Sequence, residues 1–93
     1  MVMKHVDGAV DRGKVVLYAL STCVWCRRTR QLLEEAKLAY DYEYVDLAEP
    51  ARADEIERLL VETFGHASYP SIVTPKGNVQ GYRPEEIKAL LRI

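Results

Sequence analysis

The stretch Val15-Val-Leu-Tyr-Ala-Leu-Ser-Thr-Cys-Val-Trp-Cys26 determines the predicted fold. Its first half, residues 15–20, is an uninterrupted apolar run, which is typical of a strand buried on both faces. Ser21 and Thr22 then form a helix-start signal. From residue 24 to about residue 38, apolar side chains recur at helical spacing. The sequence therefore predicts a buried strand that leads directly into an amphipathic helix, with two cysteines at the junction.

The rest of the chain predicts further strands and helices around this junction. We expect strands over residues 41–46, 71–74 and 79–82, helices over residues 49–65 and from residue 84 onward, and a turn over residues 75–78. A right-handed crossover makes the first two strands parallel. The order βαβαββα thus predicts an α/β fold, with a four-stranded mixed sheet flanked by three helices. Residues 1–13 are assigned to an amino-terminal extension, in which residues 3–6 could form a short edge strand, and residues 14–93 to the domain.

Composition limits the class of function. The chain has 93 residues, enough for one domain, and a formal net charge of −1. A charge this close to zero argues against a general nucleic-acid or acidic-membrane binder, which carries a basic excess. No run approaches the roughly 20 apolar residues that span a membrane. The amino terminus also lacks a signal-peptide core of about 7–15 apolar residues, so we expect a cytoplasmic protein. With only two cysteines, the chain is not a disulfide scaffold.

The position of Cys23 and Cys26 predicts redox chemistry. The amino end of a helix carries unpaired N–H groups and a partial positive charge, which favour an anion such as a thiolate. Cys23 lies at the loop–helix boundary, whereas Cys26 lies one turn deeper on the inward face. Side chains three residues apart on a helix have Cβ atoms about 5–6 Å apart, and a disulfide requires roughly 3.5–4.5 Å. Because Cys23 lies outside the regular helical turn, a small backbone adjustment suffices to form the bond. We assign Cys23 as the attacking nucleophile and Cys26 as the resolving thiol.

Other interpretations of these residues remain open from the sequence. The cysteines could be a structural pair, or they could hold zinc, although a zinc site needs further ligands and His5 and His66 lack zinc-finger spacing. We therefore expect no metal. Pro70 could mark a plain strand boundary or a cis peptide that lifts the Tyr69 backbone toward a substrate segment.

Three motifs carry a resemblance to a known family. They are Tyr18-Ala-Leu-Ser-Thr-Cys-Val-Trp-Cys26, Tyr69-Pro70 and Gly81-Tyr82-Arg83-Pro84. Together they resemble a glutaredoxin-fold redoxin of the thioredoxin superfamily, over roughly residues 14–93. The resemblance implies a thioredoxin fold, a cis bond before Pro70 and thiol–disulfide exchange at the cysteines, with no cofactor required.

Within that family, the chain departs from the glutathione-binding pattern. Leu20 stands where glutathione-dependent members usually carry a lysine, and Gln80-Gly81-Tyr82 replaces their Gly-Gly and acidic residues. The Gly-Tyr-Arg-Pro segment is similar to that of NrdH-type redoxins, which thioredoxin reductase reduces, although Trp25 departs from the glutamine usual there. The resemblance therefore implies a thioredoxin-reductase-type electron donor, with glutathione as the alternative.

The predicted function is reduction of protein disulfides by a monomeric oxidoreductase, and ribonucleotide reductase is a substrate that only the resemblance suggests. Substrates are expected to contact Trp25, Tyr69, Pro70 and the 81–83 segment (Gly81, Tyr82, Arg83). Trp25 could instead be a core residue, but an exposed docking platform is favoured. Arg27, Arg28 and Arg30 are either a solvated helix face or a source of positive potential near Cys23. Alternatives for the whole chain are a glutathione-dependent glutaredoxin, an iron–sulfur carrier using Cys23 of two chains, and a redox-inert binding module.

Overall fold

The structure, a computed structural model, describes residues 3–93 and contains a five-stranded sheet with three helices. In chain order the elements are β1 (Lys4–Val6), β2 (Val16–Ala19), α1 (Val24–Glu35), β3 (Tyr40–Tyr44), a 3₁₀ turn (Val45–Leu47), α2 (Pro50–Phe64), β4 (Ser71–Thr74), β5 (Gly77–Gln80) and α3 (Pro84–Leu91). This mixed α/β arrangement confirms the predicted glutaredoxin-like fold.

The strand order β1-β3-β2-β4-β5 places β2 at the centre of the sheet. β2 runs parallel to β3 and antiparallel to β4, and β4 forms the predicted antiparallel hairpin with β5. The sheet has five strands rather than the predicted four, because the short edge strand considered for residues 3–6 forms as β1 and pairs with the outer edge of β3. This edge strand was weakly signalled because it is short and mostly exposed. The His5 ring, 2.7 Å from the Asp41 carboxylate, adds a side-chain contact to the backbone pairing.

Two apolar layers cover the sheet, one on each face. Leu17 and Ala19 of β2 pack with buried residues of α1 and α3, whereas Val16 and Tyr18 point to the opposite face and pack against α2. All four β2 residues are therefore buried, as the apolar run predicted. Because β2 is held from both sides, the residues that follow it start from a rigid position.

Some element boundaries differ from the predicted ones. Helix α1 ends at Glu35 rather than near residue 38, because Lys37 adopts a left-handed conformation with φ 61°. The N–H groups of Lys37 and Leu38 then close the helix on the carbonyls of Glu34 and Leu33. β5 begins at Gly77 rather than at residue 79, because the Thr74 hydroxyl accepts hydrogen bonds from two backbone N–H groups, those of residues 76 and 77, in a tight turn.

A buried ion pair joins α2 to the sheet. The Glu43 side chain of β3 is completely buried, and Arg52 in the first turn of α2 binds it through two nitrogens. The Arg52 Nη2 lies 2.8 Å from Glu43 Oε1, and its Nε lies 3.0 Å from Oε2. The chain thus compensates a charge that would be very costly to bury alone.

Candidate active site

The two cysteines lie where β2 leads into α1. Cys23 is the N-cap residue of α1, in an extended conformation, and its Sγ accepts a hydrogen bond from the Cys26 N–H at 3.1 Å. Both cysteines are free thiols; Cys23 is partly exposed, whereas Cys26 is 1% exposed. The Cys23 sulfur therefore replaces the oxygen of an ordinary N-cap side chain, and the same donor would stabilise it as a thiolate.

The environment of Cys26 keeps its thiol protonated. Burial, followed by the hydrogen bond with the Cys23 side chain, raises the pKa of Cys26 to about 12. At neutral pH, Cys26 is therefore a neutral thiol beneath the partly exposed Cys23. This asymmetry is what an attacking thiol and a resolving thiol require.

The loop between β2 and Cys23 is held by a carboxylate that the sequence analysis did not single out. Asp46, which follows β3, accepts a hydrogen bond from the Ser21 N–H at 2.9 Å and another from its hydroxyl. These bonds lower the pKa of Asp46, so the carboxylate stays ionised at neutral pH. Since the carboxyl ends of parallel strands meet at one edge of the sheet, the parallel pairing of β2 and β3 was the signal that could have found this contact.

The Tyr69–Pro70 segment lies at the same end of the sheet as the cysteines. The pairing of Tyr18 with Ser71 places Pro70 beside the end of β2. The Tyr69–Pro70 peptide is cis, which confirms the prediction for this bond. Gly81, with φ 92°, donates its N–H to the Pro70 carbonyl at 2.7 Å, and this conformation favours glycine. The 81–83 segment is thereby fixed to the cis-proline loop.

Trp25 is exposed rather than part of the core. It is 54% exposed, and its ring stacks on that of Tyr82, with centroids 5.4 Å apart and planes inclined by 28°. The guanidinium of Arg28 lies over the Trp25 ring, 5.4 Å from its centroid. Trp25, one of the two residues between the cysteines, thus contacts the 81–83 segment and forms an aromatic surface close to Cys23 in the chain.

The remaining predicted site residues are also at this end. Tyr69 packs against the buried clusters of both sheet faces, and its hydroxyl is buried without a hydrogen-bond partner in the described part of the chain. Burial is the main cause that raises the pKa of Tyr69. Arg83 is exposed, and its Nε donates a hydrogen bond to the Gln80 carbonyl. Leu20 packs partly buried on the α2 side.

Residues proposed as alternative ligands do not join the cysteines. His5 lies 2.7 Å from Asp41 at the sheet edge, and His66 is exposed in the loop after α2. Within residues 3–93, no group of three or more His, Cys, Asp or Glu side chains converges as a metal site would require. None of the helices that the structure describes has the length and apolar character needed to cross a membrane.

Comparison with known proteins points to one family. The glutaredoxin family model matches residues 15–78. The crystal structure of a glutaredoxin from Methanosarcina mazei is 35% identical, with a TM-score of 0.90 over 100% of this chain and 90% of that one. Glutaredoxin-1 of Sus scrofa is 28% identical over 87% of this chain and 77% of its own length. The NrdH-redoxin of Escherichia coli shares the fold, with a TM-score of 0.69 over 84% of this chain and 95% of its own, at 23% identity.

Proposed function

Since the chain belongs to the glutaredoxin family, we propose that it reduces protein disulfides by dithiol exchange through Cys23 and Cys26. The observation that carries this proposal is the asymmetry of the pair. Cys23 is accessible and receives a backbone hydrogen bond at the start of α1, whereas Cys26 is buried and neutral directly behind it. Such a pair can attack a disulfide and then release the product without a metal or an organic cofactor.

The exchange proceeds in two balanced steps. The Cys23 thiolate attacks one sulfur of the partner disulfide, which forms a mixed disulfide and expels the other partner sulfur as a thiolate. The Cys26 thiol then gives its proton to water or to the partner thiolate expelled first, and its sulfur attacks the Cys23 sulfur, which expels the second partner sulfur as a thiolate. The partner gains two electrons, and the protein is left with a Cys23–Cys26 disulfide. An external thiol or a reductase must then restore the dithiol.

The substrate surface in this proposal surrounds Cys23. Trp25 and Tyr82 form the aromatic part, and Tyr69, Pro70 and Gly81 form the backbone part beside the central strand. An extended segment of the partner can pair with the backbone near the cis proline while its side chains contact the aromatic stack. In this proposal the protein acts as a monomer in the cytoplasm, where protein thiols are kept reduced.

The proposed electron donor is a thioredoxin-reductase-type enzyme rather than glutathione. Glutathione is small, so its affinity depends on a few charged contacts to its carboxylates, each worth about 1.5–3 kcal/mol. Leu20 supplies no charge. Tyr82 stacks on Trp25, in the segment where glutathione-dependent members carry Gly-Gly and acidic residues. A protein reductase can use the wider surface around Trp25, so it depends less on those contacts.

A donor assay tests the proposed function. Reduction of a protein disulfide, coupled either to thioredoxin reductase and NADPH or to glutathione and its reductase, should be at least about a hundredfold more efficient with thioredoxin reductase, because two missing charged contacts cost that much affinity. Leu20→Lys is the matched variant, and it should raise glutathione-dependent turnover. Turnover with glutathione and none with any thioredoxin reductase would contradict the proposed donor.

A further inference from the structure

We propose that the surface formed by Arg28, Trp25, Tyr82 and Arg83, here called the arginine–aromatic surface, selects protein disulfides that lie in acidic segments. This inference rests on the proposed function, because it names the class of substrate that the dithiol reduces. The occupant is an extended partner segment that carries a disulfide cysteine next to aspartate or glutamate residues.

The four residues of the arginine–aromatic surface form one continuous patch. Arg28 lies over the Trp25 ring at 5.4 Å, and Trp25 stacks on Tyr82 at the same centroid distance. Arg83 follows Tyr82 in the chain, at the N-cap of α3; its side chain is 61% exposed and forms a loose ion pair, 3.7 Å long, with the equally exposed Glu86. Because Trp25 lies between the two cysteines in the sequence, a segment whose disulfide reaches Cys23 can contact the Trp25 ring and the Arg28 guanidinium that lies over it.

The charge on Arg28 has no carboxylate partner among residues 3–93. Within that part of the chain, Arg28 makes no ion pair and no side-chain hydrogen bond, and its guanidinium lies over the Trp25 ring. The first turn of α1 also lacks an acidic residue, whereas the first turn of α3 contains Glu85 and Glu86. A cation near the amino end of a helix does not stabilise the helix. An external anion gives Arg28 the partner that the fold does not supply.

Negative charge also lies near the active site. Asp46 is bound to Ser21, and its charge acts on Cys26. Glu57 of α2 likewise contributes negative charge near Tyr69. Near α3 the charge is mixed, since Glu86 Oε2 lies 3.7 Å from Arg83 Nε and Glu85 lies in the same helical turn. Arg28 is therefore the cation of the arginine–aromatic surface that the described residues leave without a carboxylate partner, and an acidic partner segment is attracted to Arg28 and repelled by Asp46.

A single-turnover assay with peptide disulfides tests this inference. Pre-reduced protein is mixed with peptides that differ only in the residues flanking the disulfide, which are glutamate, glutamine or lysine. At low ionic strength, the glutamate peptide should react about three- to tenfold faster than the glutamine peptide, as expected from two exposed ion pairs. The lysine peptide should react more slowly than the glutamine peptide. The preference should shrink at about 1 M salt, where charges are screened beyond roughly 3 Å.

Matched variants separate docking from general thiol reactivity. In the double variant Arg28→Gln/Arg83→Gln, the glutamate-to-glutamine rate ratio should fall close to one, and a ratio is insensitive to any common change in Cys23 reactivity. Lys76→Gln, in the turn at the opposite end of the sheet, removes the same kind of charge and should leave the ratio unchanged. Equal rates for all three peptides, or an equal loss of the ratio in Lys76→Gln, would overturn the inference. Failure to reduce any peptide would overturn the proposed function, and the inference with it.

Discussion

The Cys23→Ser variant will reduce no disulfide above the uncatalysed rate, whereas the Cys26→Ser variant will react once and remain bound to its substrate. Cys23 is the more exposed of the two cysteines, and its loss leaves a thiol, that of Cys26, which is too deeply buried for a large partner to reach. Without Cys26, the first exchange still occurs, but nothing displaces the partner from Cys23. The loss in Cys23→Ser is therefore complete, and the product of Cys26→Ser is a covalent adduct.

Intact-mass spectrometry after mixing each variant with an oxidised protein substrate distinguishes these outcomes. Cys26→Ser should gain the mass of one partner and release it on addition of dithiothreitol. Serine is close to cysteine in size, so both variants should keep the fold, which circular dichroism can check. Disulfide reduction by Cys23→Ser at the rate of the unmodified protein would contradict the assigned roles.

Replacing Arg52 by alanine will lower the free energy of unfolding by about 3 kcal/mol. The substitution leaves the Glu43 carboxylate buried and without its counter-charge, and breaking one side of a buried pair costs about 3–5 kcal/mol. The lower end applies because Arg52 itself is 36% exposed, so water can partly replace it. Urea denaturation followed by far-ultraviolet circular dichroism measures the change.

Two further variants separate this effect from a general loss of charge on α2. The Glu55 carboxylate lies 4.0 Å from Arg52 and is 63% exposed. Replacing Glu55 by alanine should therefore lower the free energy of unfolding by less than about 1 kcal/mol. The double variant Glu43→Leu/Arg52→Leu should recover most of the stability lost in Arg52→Ala, because it removes the buried charge as well. An Arg52→Ala protein as stable as Glu55→Ala would show that the pair does not anchor α2.

The junction of β2 and α1 was predictable because all of its signals are local. The apolar run, the helix start and the cysteine spacing lie within residues 15–26, and each agrees with the others. The end of α2 at Gly65 was also predictable, since Gly65 adopts the left-handed conformation with φ 90° that favours glycine. The cis bond before Pro70 needed more than local signals, and the family resemblance supplied them.

The contacts that the sequence analysis missed join residues far apart in the chain. Asp46 accepts hydrogen bonds from Ser21 across 25 positions, and the register of β1 on β3 pairs Lys4 with Tyr42, still farther apart in the chain. The stack of Trp25 on Tyr82 depends on how α3 packs beside α1, which no local pattern states. Hydrophobic periodicity cannot reveal such pairs, because it indicates which face of a helix or strand is buried and not which distant residue packs against that face.

The most direct test of the dithiol mechanism is the rate at which each cysteine is alkylated. Reduced protein is treated with iodoacetamide over a range of pH, and each cysteine is quantified by peptide mass spectrometry. Cys23 should be modified first near neutral pH, and Cys26 should react far more slowly, at a rate that rises in strongly alkaline solution, because burial raises the pKa of Cys26 to about 12 and the neutral thiol is a poor nucleophile. Modification of Cys26 as fast as Cys23 at neutral pH would contradict the assignment of Cys23 as the attacking thiol.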